Sequence, residues 1–213
     1  MLQVHLASSV KRISEQTEQH YLAGIPAAMH AAIQRYRHWE DRQATLFGKL
    51  LLQRALRSRP GQGEWWSLER LEHTEKGKPF IRGAPGFNIS HSGGVVALAM
   101  VDTGEVGIDV EKIRAVDLAD FANYLPETAG LGSLAPSERL NSFFACWTKK
   151  EAVLKGEGSG LLAPLEEVHL GCEAAVFRQR PWGLRKIDCG AAYCCHVATS
   201  EHQAGCLVET VNF

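Results

Sequence analysis

The sequence contains no apolar stretch long enough to cross a bilayer. Its longest uninterrupted run is Val95 to Val101, whereas a transmembrane helix needs about 20 apolar residues. At the N-terminus the basic pair Lys11 and Arg12 follows the apolar residues, which is the reverse of the order in a secretory signal. We therefore expect a cytoplasmic protein that has no membrane partner.

The chain also lacks a strong charge of either sign and the cysteine pairs of a structural zinc site. Its 213 residues include 23 Lys or Arg and 24 Asp or Glu, a formal net charge of −1, which argues against a nucleic-acid partner. The six cysteines do not form the two C-x2-4-C pairs that structural zinc usually requires. We therefore interpret Cys194, Cys195 and His196 as packing residues, with the thiols reduced.

What the sequence does contain is an order of elements that occurs twice. Apolar residues at helical spacing predict long helices from Gln34 to Arg57 and from Pro136 to Lys155, with Gly156 just beyond the second. We predict an α+β fold of two similar halves, residues 1–103 and 104–213, each a long helix packed on a small antiparallel sheet, related by a pseudo-twofold axis. The predicted strands in addition to "VGIDV" are Trp65 to Leu71, Pro79 to Ile81, Phe87 to Ser90, Val95 to Val101, Ala192 to Thr199 and Cys206 to Val211.

The stretch "VGIDVEK", residues 106–112, places two carboxylates on one face of a predicted strand. Asp109 and Glu111 are at i and i+2, so they lie side by side and repel each other. In the second helix Glu151 and Lys155 are four residues apart, which is also the spacing of an ordinary surface ion pair. If the helix packs across the end of the strand instead, three carboxylates converge, and a hard divalent cation, Mg²⁺ or Mn²⁺, offsets their repulsion.

A second polar group lies in "FNISHSGG", residues 87–94. Ser90 and His91 are neighbours in a predicted strand, so their side chains face opposite ways and do not form a nucleophile and its base. Hydroxyl, imidazole and glycine N–H groups suit phosphate binding instead. The preceding turn, "EKGKP", adds the positive charges of Lys76 and Lys78.

Three motifs occur in a characteristic order along the chain. They are "GKP" at 77–79, "GIDVE" at 107–111 and "WTKKEAVLK" at 147–155, with "FNISHS" between the first two and "HWEDRQATLFGKLLL" before them. With these motifs the chain resembles the 4′-phosphopantetheinyl transferases, in the long, pseudo-dimeric class typified by the surfactin-synthetase activator. The resemblance covers roughly residues 35 to 170.

The resemblance implies an enzyme that transfers 4′-phosphopantetheine from coenzyme A to a serine of an apo acyl or peptidyl carrier protein and releases 3′,5′-ADP. It implies that Asp109, Glu111 and Glu151 bind Mg²⁺, that Glu151 is also the general base, and that Lys155 holds the pyrophosphate. The carrier partner would be acidic and helical. A monomer is expected, because one chain supplies both halves of the site.

The resemblance also implies the residues that bind coenzyme A. Lys78, Ser90 and His91 would contact its phosphates, Lys150 would belong to the same anion-facing region, and Thr45 would line the nucleotide pocket. Related enzymes carry extra basic residues just before the first long helix, where they bind the 3′-phosphate. Here Pro26 to Gln34 contains no Lys or Arg. The candidates to replace those residues are Arg35, Arg37, Arg42 and His91.

Two other functions use the same residues. One is a non-catalytic module that binds coenzyme A or a carrier protein, although the presence of all three acidic positions argues against lost chemistry. The other is a metal-dependent phosphohydrolase, in which water replaces the serine as nucleophile at the same acidic cluster.

Overall fold

The structure, a computed structural model, describes residues 1–59, 66–121, 124–160 and 163–213, and the statements below concern those residues. The helices are α1 (Glu15–Ala23), α2 (His30–Gln34), α3 (Trp39–Arg57) and α4 (Pro136–Glu157). The strands are β1 (Leu2–Ser8), β2 (Leu71–His73), β3 (Pro79–Ile81), β4 (Gly86–Ser92), β5 (Val95–Val101), β6 (Val106–Lys112), β7 (His169–Leu170), β8 (Ala174–Phe177), β9 (Arg180–Lys186), β10 (Tyr193–Thr199) and β11 (Cys206–Val211).

The strands of the described residues form two main sheets and a small ribbon. The first sheet has the order β11–β1–β5–β4, the second has the order β6–β10–β9–β8–β7, and β2 pairs with β3. Pairing is antiparallel except between β1 and β11, where Val4 lies opposite Val208 in a parallel ladder. The end of the chain therefore completes the sheet of the first half.

The core explains why β5 is a continuous apolar run. Val96 and Leu98 belong to the core that α3 covers, whereas Ala97 and Ala99, on the other face of β5, pack against β6 and β10. A strand buried on both faces needs apolar residues at every position. On the far side of the second sheet α4 contributes Val153 and its neighbours to a separate core. The layers are thus α3, first sheet, second sheet and α4, which confirms the predicted α+β class with a long helix on each sheet.

The predicted ends of both long helices need correction. α3 begins at Trp39 and not at Gln34, because His38 has an extended backbone (φ −88°, ψ 133°). Gln34 instead ends the separate helix α2. α4 continues through Gly156 and ends at Gly158, whose left-handed conformation (φ 95°) stops the helix. Among the helices of the described ranges, none has both the length and the apolar character that a membrane span requires.

The predicted strand from Trp65 to Leu71 is wrong where the structure describes it. Leu68–Arg70 form a 3₁₀ turn, and the strand covers only Leu71–His73. The apolar pattern has another cause, since Leu68 and Trp66 pack on the core beneath α3. Trp65 itself lies outside the described residues, as do Pro60 and Gly61, which the sequence places near the end of the first long helix.

Candidate active site

Two glycines bring α4 into direct contact with β6. A Cβ atom on Gly107 would lie 2.0 Å from the carbonyl oxygen of Ala152 and 2.3 Å from the nitrogen of Gly156. A Cβ on Gly156 would meet the ring of Trp182 at 2.6 Å. Only glycine permits so close a backbone approach. The contact fixes the height of α4 above the strand and brings the two acidic elements together.

Alternate polar side chains of β4 join the edges of the two sheets. The backbone N–H groups of Ile108, Val110 and Lys112 on β6 donate to Asn88 Oδ1 (3.0 Å), Ser90 Oγ (3.3 Å) and Ser92 Oγ (3.1 Å). These side chains take the place of a neighbouring strand, so the edge of β6 is satisfied without a backbone ladder. This role was not predicted from the sequence, although polar residues at every second position of β4 are a signal for it.

The two serines also position the carboxylates of β6. Ser90 Oγ donates to Asp109 Oδ1 (3.1 Å), and Ser92 Oγ donates to Glu111 Oε2 (2.8 Å). Ser90 Oγ in turn accepts from the ammonium group of Lys155 (3.1 Å). That ammonium group also contacts Asp109 Oδ1 at 2.5 Å. The carboxylate of Asp109 on β6 is thus contacted by Ser90 from β4 and by Lys155 from α4. It is also buried, since Asp109 is only 2% exposed.

Glu151 lies on α4 one helical turn before Lys155. It is 4% exposed, and burial raises its pKa to about 7, with Lys155 opposing the shift and Asp109 and Glu111 adding to it. Burial also raises the pKa of Glu111. The hydrogen bond from Ser92 opposes this upward shift, and the negative charge of Asp109 adds to it. Asp109, Glu111 and Glu151 thus lie within electrostatic reach of one another. Because Glu151 is buried, the interpretation of it as one half of a surface ion pair is wrong.

The carboxylate oxygens of Asp109 and Glu151 are of the type that binds a hard divalent cation. Within the described residues, Asp109 Oδ2 and Glu151 Oε1 are buried and have no hydrogen-bond partner, and carboxylate oxygens are the ligands that Mg²⁺ prefers. As the side chains of the described residues are arranged, no group of three His, Cys, Asp or Glu could hold a metal ion. The positive charge beside Asp109 in this structure is the ammonium group of Lys155.

Two other predicted phosphate ligands are Lys78 and His91. Lys78 donates to the carbonyl oxygen of Gly156, near the end of α4, and burial lowers its pKa. His91 faces away from Ser90, as the strand period predicts. Desolvation lowers the pKa of His91, Asp41 of α3 raises it and Lys155 lowers it. His91 therefore lies within electrostatic reach of both the carboxylate group and α3.

Three of the predicted residues do not join this group. Lys150 is fully buried, and its ammonium group pairs with Glu127 at 2.8 Å, so in this structure it presents no charge to an anion. Arg42 pairs with Glu18 at 2.7 Å, beside a shallow cleft on α1. Thr45 lines a separate cavity near α2.

A large groove of about 1120 Å³ runs between α4 and the β9–β10 end of the second sheet. Its floor includes Cys194 and His196, which lie opposite Glu111 and Asp109 in the β6–β10 ladder. Its wall carries three cations, Lys149, Arg185 and Lys186, and two acids, Glu173 and Asp188. The groove therefore lies beside β6, next to the positions of Asp109 and Glu111, although neither carboxylate lines it.

His196 and Thr148 are structural neighbours of the site that the sequence analysis did not pair. His196 Nδ1 and Thr148 Oγ1 are 2.7 Å apart, and both residues are buried. Burial lowers the pKa of His196 to about 4, with Lys149 and Lys186 adding to the shift, so the ring is neutral at neutral pH. This supports the interpretation of His196 as a packing residue.

Comparison with known proteins identifies the family. Residues 12–103 match the N-terminal domain of 4′-phosphopantetheinyl transferases, and residues 105–207 match the 4′-phosphopantetheinyl transferase superfamily. The 4′-phosphopantetheinyl transferase Sfp of Bacillus subtilis is 33% identical over 158 residues, which are 72% of this chain and 69% of that protein. The chain belongs to the 4′-phosphopantetheinyl transferase superfamily. The resemblance seen in the sequence motifs is thereby confirmed.

Other members of the superfamily match over shorter lengths. The 4′-phosphopantetheinyl transferase AcpT of Salmonella typhimurium is 41% identical over 123 residues, or 55% of this chain and 59% of that protein. The 4′-phosphopantetheinyl transferase psf-1 of Bacillus pumilus is 35% identical over 139 residues, or 62% of this chain and 57% of that protein. The similarity to the Salmonella protein thus spans about three-fifths of its length.

Proposed function

We propose that the chain transfers 4′-phosphopantetheine from coenzyme A to a serine of an apo acyl or peptidyl carrier protein, with Mg²⁺, and releases 3′,5′-ADP. Membership of the superfamily supports the reaction class. The observation that carries the proposal is the contact of Lys155 on α4 with buried Asp109 on β6, with buried Glu151 one helical turn earlier on α4.

Different residues of the chain carry out different parts of the reaction. The serine oxygen forms a bond to the phosphorus that carries pantetheine, and the bond from that phosphorus to the 5′-phosphate oxygen of 3′,5′-ADP breaks. Glu151 accepts the serine proton as the general base. Lys155 stabilises the negative charge that develops on the departing phosphate.

Asp109, Glu111 and Glu151 are the residues that would hold a Mg²⁺ ion. When bound, Mg²⁺ neutralises the charge of the pyrophosphate and makes its phosphorus easier to attack. Lys78, Ser90 and His91 orient the phosphates of coenzyme A. Because Ser90 already contacts Lys155, the phosphate ligands and the catalytic lysine form one connected group.

The large groove between α4 and the β9–β10 end is the path for the acceptor serine. The carriers are expected to be acidic and helical, and Lys149, Arg185 and Lys186 on the groove wall supply the opposite charge. One chain supplies both halves of the site, so the proposed active form is a monomer.

Intact-mass spectrometry of several apo carrier proteins tests this function. With the chain, coenzyme A and Mg²⁺, one carrier should gain the mass of one phosphopantetheine, and its Ser→Ala variant should gain none. Excess chelator should stop the transfer. Release of 3′,5′-ADP without any carrier at a comparable rate would indicate a phosphohydrolase instead. Tight coenzyme A binding with no turnover on any carrier would indicate a non-catalytic module.

A further inference from the structure

The connection between β9 and β10 brings two cysteines together. The backbone N–H of Ile187 donates to the carbonyl oxygen of Cys195 at 3.0 Å, which continues the pairing of the two strands beyond the end of β9. The chain then reverses in a turn, in which the N–H of Tyr193 donates to the oxygen of Gly190 at 3.0 Å. Cys189 directly precedes this turn, so it lies across from the beginning of β10.

Cys195 is the cysteine of β10 that Cys189 contacts. Cys195 is fully buried in the core between the two sheets, and Cys189 packs against that core. The thiol of Cys195 donates a hydrogen bond to the sulfur of Cys189. Neighbouring Cys194 faces the opposite way, because successive residues of a strand alternate, and its sulfur lies 3.5 Å from Thr148 Oγ1 on α4.

The pair combines an accessible thiol with a buried one. Cys189 is half-buried and lines the large groove, whereas Cys195 has no exposed surface. The hydrogen bond from Cys195 lowers the pKa of Cys189, against the opposing effects of burial and Asp188. The same hydrogen bond and burial raise the pKa of Cys195. An accessible thiol of lowered pKa beside a second thiol is the arrangement of redox-sensing cysteines.

We propose that Cys189 and Cys195 form a reversible disulfide on exposure to hydrogen peroxide, in which Cys189 reacts first and Cys195 completes the bond. This proposal does not depend on the proposed function. Cys189 was not predicted from the sequence as a functional residue, because five residues separate it from Cys195 and the chain contains no C-x-x-C motif.

The reaction has two steps. The thiolate of Cys189 attacks one oxygen of peroxide, so that a sulfur–oxygen bond forms, the oxygen–oxygen bond breaks, and the departing hydroxide takes up a proton to become water. The sulfur of Cys195 then attacks the sulfur of this sulfenic acid, which forms the disulfide and breaks the sulfur–oxygen bond. The departing hydroxide leaves with the proton of the Cys195 thiol as a second water. Both sulfurs are thereby oxidised, and peroxide is reduced to water.

The disulfide would connect two parts of the large groove. Residues 188–191 and Tyr193 line the groove at its β9–β10 end, and β10 carries the floor residues Cys194 and His196. A bond from Cys189 to Cys195 would therefore tie this part of the groove wall to the strand that forms the floor.

Thiol titration of the full chain under denaturing conditions, before and after treatment with stoichiometric peroxide at low protein concentration, tests the proposal. The number of free thiols should fall by two, from six to four, and the intact mass should fall by two hydrogens. Dithiothreitol should restore both values, because a thiolate opens a disulfide by exchange.

Peptide mapping identifies the bonded pair. Cleavage after Lys186 and after Tyr193 separates Cys189 from Cys194 and Cys195, so the oxidised protein should yield a linked pair of peptides that reductant separates. Cys194→Ala is the matched control, since it removes the adjacent buried thiol, and it should still form the bond. Cys195→Ala should form none.

Three results would overturn the proposal. They are an unchanged thiol count in peroxide that oxidises free cysteine, a bond from Cys189 to Cys194 or Cys172 instead, and equal loss of two thiols in the wild type and in Cys195→Ala. Thermal unfolding shows whether Cys195→Ala is folded. If it is not, the half-buried site gives the decisive variant, because Cys189→Ala should lose no pair of thiols to peroxide and a loss of two there would refute the assignment.

Discussion

Substitution of Gly107 by alanine tests how the active site is assembled. The added Cβ would lie 2.0 Å from the oxygen of Ala152, whereas real Cβ atoms essentially never approach closer than 3.0 Å. α4 must therefore move away from β6 by about 1 Å or more. Such overpacking costs about 1–3 kcal/mol of the free energy of unfolding.

The same displacement should affect catalysis more than stability. Glu151 and Lys155 are carried by α4, whereas Asp109 is carried by β6, so a shift between the two elements separates the reacting groups. A misplacement of about 1 Å in an active site costs on the order of 100-fold in rate. Gly107→Ala should therefore fold at moderate temperature and show about a 100-fold lower kcat for carrier modification.

Urea denaturation and initial-rate measurements check both parts, with Gly130→Ala as the matched control. Gly130 is exposed, and a Cβ there would meet no atom within 4 Å, so that variant should keep the stability and rate of the wild type. A Gly107→Ala protein with unchanged stability and unchanged kcat would refute the argument that backbone contact between α4 and β6 sets the geometry of the site.

Three further predictions concern charge. The pKa of Glu151 is raised to about 7 in the folded state, so the metal-free wild type should lose stability as the pH rises from 4.5 through 7, whereas Glu151→Gln should not. In the presence of chelator the variant should therefore become more stable than the wild type by up to about 3 kcal/mol across that range. Denaturation at several pH values checks this, and the exposed-site control Glu138→Gln should show no such trend. His196 has a lowered pKa of about 4, so its contribution is complete above pH 6.5 and lost as the pH falls toward 4; His196→Gln should flatten that loss by up to about 3 kcal/mol, and an unchanged acid slope would contradict the assignment. The double variant Lys149→Glu, Lys186→Glu should raise KM for an acidic carrier severalfold and leave KM for coenzyme A unchanged; equal effects on both would count against the large groove as the acceptor path.

The sequence predicted those features that depend on local spacing. The period of two in "VGIDVEK" placed Asp109 and Glu111 on one face, and the helical period placed Glu151 one turn before Lys155. The class of fold followed from the order of such elements. Each of these relations is set by the geometry of one helix or one strand, which the residues themselves specify.

Features that depend on contacts between distant segments could not be predicted. Lys150 and Glu127 are 23 positions apart and joined by no periodic pattern, so the sequence offered no reason to remove Lys150 from the phosphate ligands. The close approach of Gly107 and Gly156 likewise exists only once α4 lies on β6.

The central claim is that Asp109, Glu111 and Glu151 hold a divalent cation beside the pyrophosphate of coenzyme A. A crystal structure of the chain with coenzyme A and Mn²⁺, with the metal located by its anomalous scattering, tests this most directly. The account predicts one strong peak within coordination distance of all three carboxylates and of the pyrophosphate oxygens. A peak elsewhere, or a pyrophosphate bound away from Lys155 with these carboxylates free of metal, would contradict it.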